Sequence, residues 1–243
     1  MSLFSTFNGF ASEGYIANAV NFDGTNDGLK LASDLTGAAD SKLGAVSFWF
    51  KTTSIDTNRR IIRGNTNPFT VTISNGKLSI TGYNSAGTLI LSMVTVSTYN
   101  DGVWHHFSAS WDMSDTGKRH MYVDDSSDLS VGTYTNDTID YTCGLWGVGS
   151  NEAANGDYYT GDLADLYFQD GEYIDLSVAT NRRKFINASN KPVYLGSDGS
   201  IPTGTSSIMF FSGDTATWHT NKGTGGGFTE VGALTTASTS PSD

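Results

Sequence analysis

Apolar and polar residues alternate with a period of two along much of the chain, most clearly in Val103-Trp104-His105-His106-Phe107-Ser108-Ala109-Ser110-Trp111. Val103, His105, Phe107, Ala109 and Trp111 fall on one face and Trp104, His106, Ser108 and Ser110 on the other, after the turn pair Asp101-Gly102. Bulk on both faces predicts a central strand, one face against an opposing sheet and the other on a half-covered outer surface or groove. Residues 45–52 repeat the pattern, with Val46, Phe48 and Phe50 on one side and Ser47, Trp49 and Lys51 on the other. Residues 19–22 and 29–31 flank the polar turn Asp23-Gly24-Thr25-Asn26-Asp27-Gly28. Strands are also predicted over 60–63, 69–73, 77–83 and 88–96, with the hairpin signal Asn75-Gly76 between two of them. The series continues over 119–125, is interrupted by a polar stretch to about residue 142, and resumes over 144–150, 161–168 and 207–211. Short strands separated by turn chemistry in this way predict an all-β sandwich.

One helix is predicted, over 176–186. Asp175 caps it, Leu176, Ala179, Arg183 and Ile186 share a face, and Arg182, Arg183 and Lys184 lie toward its C-terminal end. The basic cluster reads either as cations favoured at a helix C-terminus or as a contact for an acidic partner surface. Gly223-Thr224-Gly225-Gly226-Gly227 reads as a loop, because no Gly-Lys-Ser/Thr and no strand-to-helix context follows it. Residues 234–243 are low in apolar content: a mobile tail alone, or an extended strand when bound to a neighbouring subunit.

Composition agrees with the pattern. The 243 residues suit one undivided sandwich, and 28 glycines, 12 % aromatics and only 16 % charged residues favour β over α structure. A net charge of −11 argues against nucleic acid or anionic lipid as a partner. No run of about 18 apolar residues occurs, so no membrane insertion is expected. Met1-Ser2-Leu3-Phe4-Ser5-Thr6 lacks a basic region followed by an apolar core, so the expectation is a soluble protein without a secretory signal. The formal glycosylation sequons Asn136-Asp137-Thr138 and Asn187-Ala188-Ser189 then stay unmodified. Cys143 is the single cysteine, which excludes an intrachain disulfide and is read as a small buried apolar residue.

Catalytic chemistry finds little support. The glutamates are Glu13, Glu152, Glu172 and Glu230, and none stands two or four residues from another, so no strand face carries paired glutamates for glycoside hydrolysis. A lyase using Tyr and His escapes that test. His105 and His106 are adjacent on a strand and point to opposite faces, and His120 and His219 stand alone, so structural roles are expected for all four. No Gly-x-Ser-x-Gly nucleophile elbow occurs.

Phe22-Asp23-Gly24, Ser47-Phe48-Trp49-Phe50, Trp104-His105-His106, Met121-Tyr122-Val123-Asp124 and Gly161-Asp162-Leu163-Ala164-Asp165-Leu166 follow one another in the order and spacing of laminin-G-like, concanavalin A-like jelly rolls. This resemblance covers roughly residues 15–170. Asp175-Leu176-Ser177, Arg182-Arg183-Lys184-Phe185, Lys191-Pro192-Val193, Pro202-Thr203-Gly204 and Asn221-Lys222-Gly223 resemble a C-terminal signature of virion proteins of tailed bacteriophages and related prophages. The two resemblances imply a concanavalin A-like jelly-roll β-sandwich over 1–174 and a C-terminal extension over 175–243, with one short helix, one strand able to join the sandwich and a Gly/Thr/Ser-rich tail.

The family resemblance also implies loop-bound calcium, for which Asp23, Asn26, Asp27, Asp162 and Asp165 supply hard oxygens, although turn formation alone explains Asp23–Gly28. Tyr83, Tyr99, Trp146, Tyr158 and Tyr159 lie in or beside Gly- and Asn-rich loops and are candidates for a carbohydrate platform, with core or interface packing as the other explanation. The resulting expectation is a non-catalytic structural protein on the surface of a phage particle, assembled in the host cytoplasm: a head decoration, fibre or tail-associated module. Its extension would dock it to other virion proteins or to itself. The alternative is a glycan-binding adhesin for the host surface, and the two can coexist on one fold.

Overall fold

The computed structural model describes residues 14–66 and 68–243. Met1–Thr6, on which the absence of a secretory signal was judged, and Glu13 lie outside the described residues. In chain order the strands are β1 (Val20–Asp23), β2 (Gly28–Leu31), β3 (Leu43–Lys51), β4 (Arg59–Gly64), β5 (Phe69–Ser74), β6 (Lys77–Tyr83), β7 (Leu89–Val94) and β8 (His105–Asp112). They continue as β9 (Arg119–Val123), β10 (Ser126–Ser127), β11 (Ser130–Tyr134), β12 (Trp146–Val148) and β13 (Thr160–Asp170). After the helix α1 (Ala179–Arg182) come β14 (Met209–Phe211), the helix α2 (Thr215–Trp218), β15 (Thr229–Val231) and β16 (Thr235–Thr236).

Two antiparallel sheets form the sandwich. The first has the order β10-β9-β8-β3-β13-β1-β16, with β14 also paired to β13, and the second the order β11-β7-β6-β5-β4-β12-β2-β15. Alternation dictates the core between them: Val46, Phe48 and Phe50 of β3 and Phe107, Ala109 and Trp111 of β8 meet Phe69, Val71, Ile80 and Trp146 of the other sheet. Phe69 stacks on Trp111 and Phe168 at centroid distances of 5.5 and 4.8 Å. The expected central strand is β8, buried along its whole length. It begins at His105 and not at Val103, because Gly102 donates to the Thr52 carbonyl at 3.0 Å and the Asp101 carboxylate accepts from the Val103 amide, which holds the preceding turn out of the ladder.

The outer face of the first sheet is covered. Ala45 and Tyr167 pack against Ile174, Leu176, Phe185, Leu195 and Phe210, all from segments that follow β13. The extension also supplies three strands where one was expected: β14 pairs with β13, β16 with β1, and β15 crosses to the second sheet and pairs with β2. The extension is therefore part of the sandwich. In the polar stretch before residue 142, β10 and β11 form on the sheet edges, which the lack of apolar alternation concealed.

The expected helix over 176–186 is replaced by the single turn α1, and a second short helix, α2, follows later. Asp175 does not cap a helix. Its carboxylate accepts from the Ser177 amide at 3.0 Å and hydroxyl at 2.5 Å, closing a local turn that competes with helix initiation. The true N-cap is Asp214, which accepts from the Thr217 amide of α2. Of the basic cluster, Arg182 lies in the last turn of α1 and Arg183 is its C-cap; both also grip the Asp125 carboxylate, at 2.5 and 2.6 Å, and Lys184 donates to the Pro202 carbonyl. Cys143 is half-buried against the core, and burial pushes its thiol up to about 12. Among the described residues, no helix is long and apolar enough to cross a membrane.

Candidate functional site

Three neighbouring strands of the first sheet end at the same level, and their register builds a site. Asn21 of β1 lies opposite Asp162 of β13, and Asp162 lies opposite Lys51 of β3. Side chains directly opposite one another on one sheet face are within reach of each other. Here Asn21 Nδ2 donates to Asp162 Oδ1 at 2.7 Å, and Lys51 Nζ lies 3.4 Å from Asp162 Oδ2. The row borders a hollow of about 300 Å3 whose walls include Asp23, Thr53, Thr160 and Gly102.

Close backbone approach makes this floor. Gly161 has φ +141°, and a Cβ there would stand 2.2 Å from the Lys51 carbonyl oxygen, so only glycine lets β13 meet β3 here. Tyr159 is buried beneath it and donates to that carbonyl at 3.1 Å, while Thr52 Oγ1 donates to the Thr160 carbonyl at 2.6 Å. A second hollow of about 370 Å3 adjoins the first, sharing Lys51 and Gly102 with it and adding Trp49, Trp104, Asn190, Lys191 and Thr239. Trp104 is half-buried, with Lys51 Nζ 6.0 Å from its ring centroid.

The turn carrying Gly102 and Trp104 is anchored by His105, whose Nδ1 lies 2.6 Å from Asp124 Oδ2 and whose Nε2 lies 3.1 Å from Asp101 Oδ1. Burial opposes charging this imidazole, but its hydrogen bonds to Asp124 and Asp101 outweigh burial and hold it above the ordinary histidine value. His106, on the opposite face, bonds Ser47 Oγ at 2.9 Å, and burial drives it down to about 3. The two rings diverge as strand geometry requires.

The five aromatic candidates do not assemble into a platform. Trp146 and Tyr159 are fully buried in the core, where apolar packing takes aromatic side chains that composition alone had placed in loops. Tyr99 packs edge-on to His105 and donates to Asp128 at 2.5 Å; Tyr158 donates to the Ala154 carbonyl at 2.9 Å; Tyr83 is half-buried at the end of β6. Of the two tryptophans that line the cleft, Trp49 is buried and Trp104 is the accessible one.

The five oxygen donors proposed for calcium do not converge either. Asp23 Oδ1 accepts from the amides of Thr25 and Asn26 at 2.7 and 3.2 Å, and the Thr25 amide above all holds the carboxyl below its usual range. Asp27 accepts from the Asp23 and Ala233 amides, both at 3.0 Å. Asp165 is buried elsewhere against Tyr15. Asp162, beside Asp23 in the cleft, already faces the Lys51 ammonium. Asp23 and Asp27 are thus engaged by backbone amides, Asp162 by Asn21 and Lys51, and Asp165 by Tyr15, so these carboxylates do not converge on one calcium position. Among the described residues, no group of three or more His, Cys, Asp or Glu side chains is arranged to hold a metal.

Sequence reasoning passed over Asn21, Lys51 and Trp104 as site residues. Their signal is weak but physical: polar or amphipathic side chains on the outward face at strand ends, next to Asp23-Gly24, Asp101-Gly102 and Gly161.

Two stacked antiparallel sheets with a polar, tryptophan-edged cleft at the rim define a lectin-like sandwich. The chain belongs to the concanavalin A-like lectin/glucanases superfamily, whose family model matches residues 23–179. Its fold is similar to that of a putative carbohydrate binding protein from Bacteroides ovatus, with a TM-score of 0.57 at 14% identity over 93% of this chain and 61% of that one. It is also similar to a heptameric SAP-like pentraxin from Limulus polyphemus, with a TM-score of 0.50 at 19% identity over 68% of this chain and 81% of that one. At such identities the likeness is one of fold. No curated protein sequence matches the chain.

Proposed function

We propose that this protein is a non-catalytic structural protein on the surface of a bacteriophage particle, as a head decoration, fibre or tail-associated module, and that its cleft contacts host-surface glycan. The reading of glycan contact is carried by the convergence of Asn21, Asp162, Lys51 and Trp104 at one sheet end. Carboxylate and amide groups accept from and donate to sugar hydroxyls, and an indole gives the apolar face of a pyranose a flat surface. Placement in a virion, among other virion proteins or further copies of the chain, rests on the phage-like signature over 175–229.

The absence of catalysis is supported by what the carboxylates do. Glycoside hydrolysis needs a carboxylic acid whose pKa is raised so that it holds a proton at working pH. Asp23, which lines the cleft, is instead held low by the Thr25 amide, and Asp165, which burial raises to about 7, is buried against Tyr15 and does not line the cleft. Glu152 pairs with Arg63 at 2.8 Å, and Glu230 accepts from the Leu234 amide at 2.7 Å.

The test is binding of the purified chain to a panel of bacterial surface polysaccharides, with wild type and Trp104→Ala side by side and an assay for new reducing ends. We expect binding without cleavage, weakened about tenfold or more in Trp104→Ala by loss of the stacking surface. Binding untouched by Trp104→Ala would move the site elsewhere, and new reducing ends would overturn the non-catalytic reading. Absence of binding across the panel would leave the virion structural role without glycan contact.

A further inference from the structure

The cleft contains an occupant. Lys51 Nζ and Trp104 Nε1 both donate to one acceptor, Thr239 Oγ1, at 2.9 and 3.0 Å. An ammonium and an indole N–H meeting at a single hydroxyl is the arrangement a sugar hydroxyl would complete. Thr239 is exposed and belongs to a segment whose Thr239, Ser240, Pro241 and Asp243 form one wall of the hollow also lined by Trp49, Trp104 and Lys191.

The segment is held mainly by hydrogen bonds, with Ala237 packed beside Ala19 and Trp49. β16 pairs through two residues with β1, the Ala237 amide donates to the Ala19 carbonyl at 3.1 Å, and Ser240 Oγ donates to the Ala17 carbonyl at 2.6 Å. Ser242 Oγ accepts from the Ala17 amide at 2.9 Å, and the Lys191 ammonium bonds the Asp243 backbone oxygen. Of residues 237–243 only Pro241 is buried. A segment with little buried apolar surface, held by hydrogen bonds that are exposed or at most part-buried, opens below the global unfolding free energy.

We infer that residues 237–243 form a displaceable strap, with the Thr239 hydroxyl standing in for a ligand hydroxyl, so that a pyranose-bearing ligand binds the Trp104–Lys51 subsite by lifting the strap. This rests on the reading of the cleft as a glycan site. The hollow that the segment walls, about 370 Å3, lies within the range of ligand pockets. The affinity of the closed protein is then reduced by the fraction of molecules whose strap is open, and weakening the strap restores it.

Thr239→Val keeps the shape and removes the acceptor; Thr239→Ser keeps the acceptor. Two readouts are needed: amide exchange at Ala237 in the free protein, and affinity for whichever polysaccharide of the panel the wild type or a variant binds. We expect Thr239→Val to exchange at least tenfold faster at Ala237 and to bind about tenfold more tightly, with Thr239→Ser close to wild type in both. Unchanged or weaker binding by Thr239→Val, in a protein that does bind glycan through Trp104, would overturn the strap and make Thr239 a fixed wall or a ligand contact. Failure of wild type and Thr239→Val alike to bind any glycan would overturn the glycan reading and the competition with it. Binding by Thr239→Val where wild type binds nothing would be the strongest support.

Discussion

Asp165 offers a sharp test of how this sandwich is held together. It is the extra residue of a β-bulge in β13: pairing with β3 shifts between Ala164 and Tyr167, and Asp165 takes φ +46°. Its carboxylate is only 2 % exposed and receives the Tyr15 hydroxyl at 2.9 and 3.1 Å on its two oxygens. Burial raises its pKa from 3.8 to about 7, against the opposing pull of the Tyr15 hydrogen bond and the Lys222 charge. The folded state therefore keeps a proton that the unfolded state releases near pH 4, and stability falls as pH rises from about 4 to about 7. At about 1.4 kcal/mol for each tenfold change, that difference amounts to roughly 4 kcal/mol at pH 8. Asp165→Asn keeps an acceptor for Tyr15 and tolerates positive φ, but carries no charge. Urea unfolding followed by tryptophan fluorescence should show the two proteins within about 1 kcal/mol of each other at about pH 4, with the Asn variant ahead by up to about 4 kcal/mol at about pH 8. A stability difference that stays flat with pH, or an Asn variant that is the weaker protein at pH 8, would refute the argument.

His105 titrates in the opposite sense. Its folded pKa lies above 6.5, so its pairing with Asp124 and Asp101 contributes in full below about pH 6.5 and is lost as pH rises through the folded value. His105→Gln should therefore cost more stability at about pH 5 than at about pH 9, as read by paired urea melts, and an equal cost at both would contradict the assignment. Phe185→Ala probes the extension. Phe185 is 3 % exposed and meets the Tyr167 ring edge-on at 5.4 Å, so its loss should destabilise the whole sandwich by about 3 to 5 kcal/mol in a single transition. Loss of only a small separate transition in calorimetry would mean that the extension folds apart from the sandwich.

Much of this architecture was written in local pattern. β3 and β8 alternate strictly, and only one phase puts Val46, Phe48, Phe50, Phe107, Ala109 and Trp111 in the core, so their faces could be read without a structure. The class, an all-β sandwich, followed from such strands and their turn residues, and its concanavalin A-like character from the resemblance carried by motifs such as Phe22-Asp23-Gly24 and Trp104-His105-His106. The segments after residue 170 were less legible. β15 and β16 are Thr229-Glu230-Val231 and Thr235-Thr236, with no apolar period, and they exist because β2 and β1 offer them unpaired edges. The helical pattern over 176–186 lost to a local side-chain turn at Asp175 and to burial of Leu176 and Phe185 on the first sheet.

The site depended even more on tertiary structure. Composition singled out Trp146 and Tyr159, which the core took, and grouped Asp165 with Asp23, which the bulge and the fold keep apart. Asn21, Asp162 and Lys51 are far apart in the chain and become one row only through the registers of β1, β13 and β3. Thr239 reaches Trp104 only because β16 closes onto β1. Local alternation decides which face of a strand is apolar; long-range register, which no short window of sequence contains, decides which polar strand ends meet.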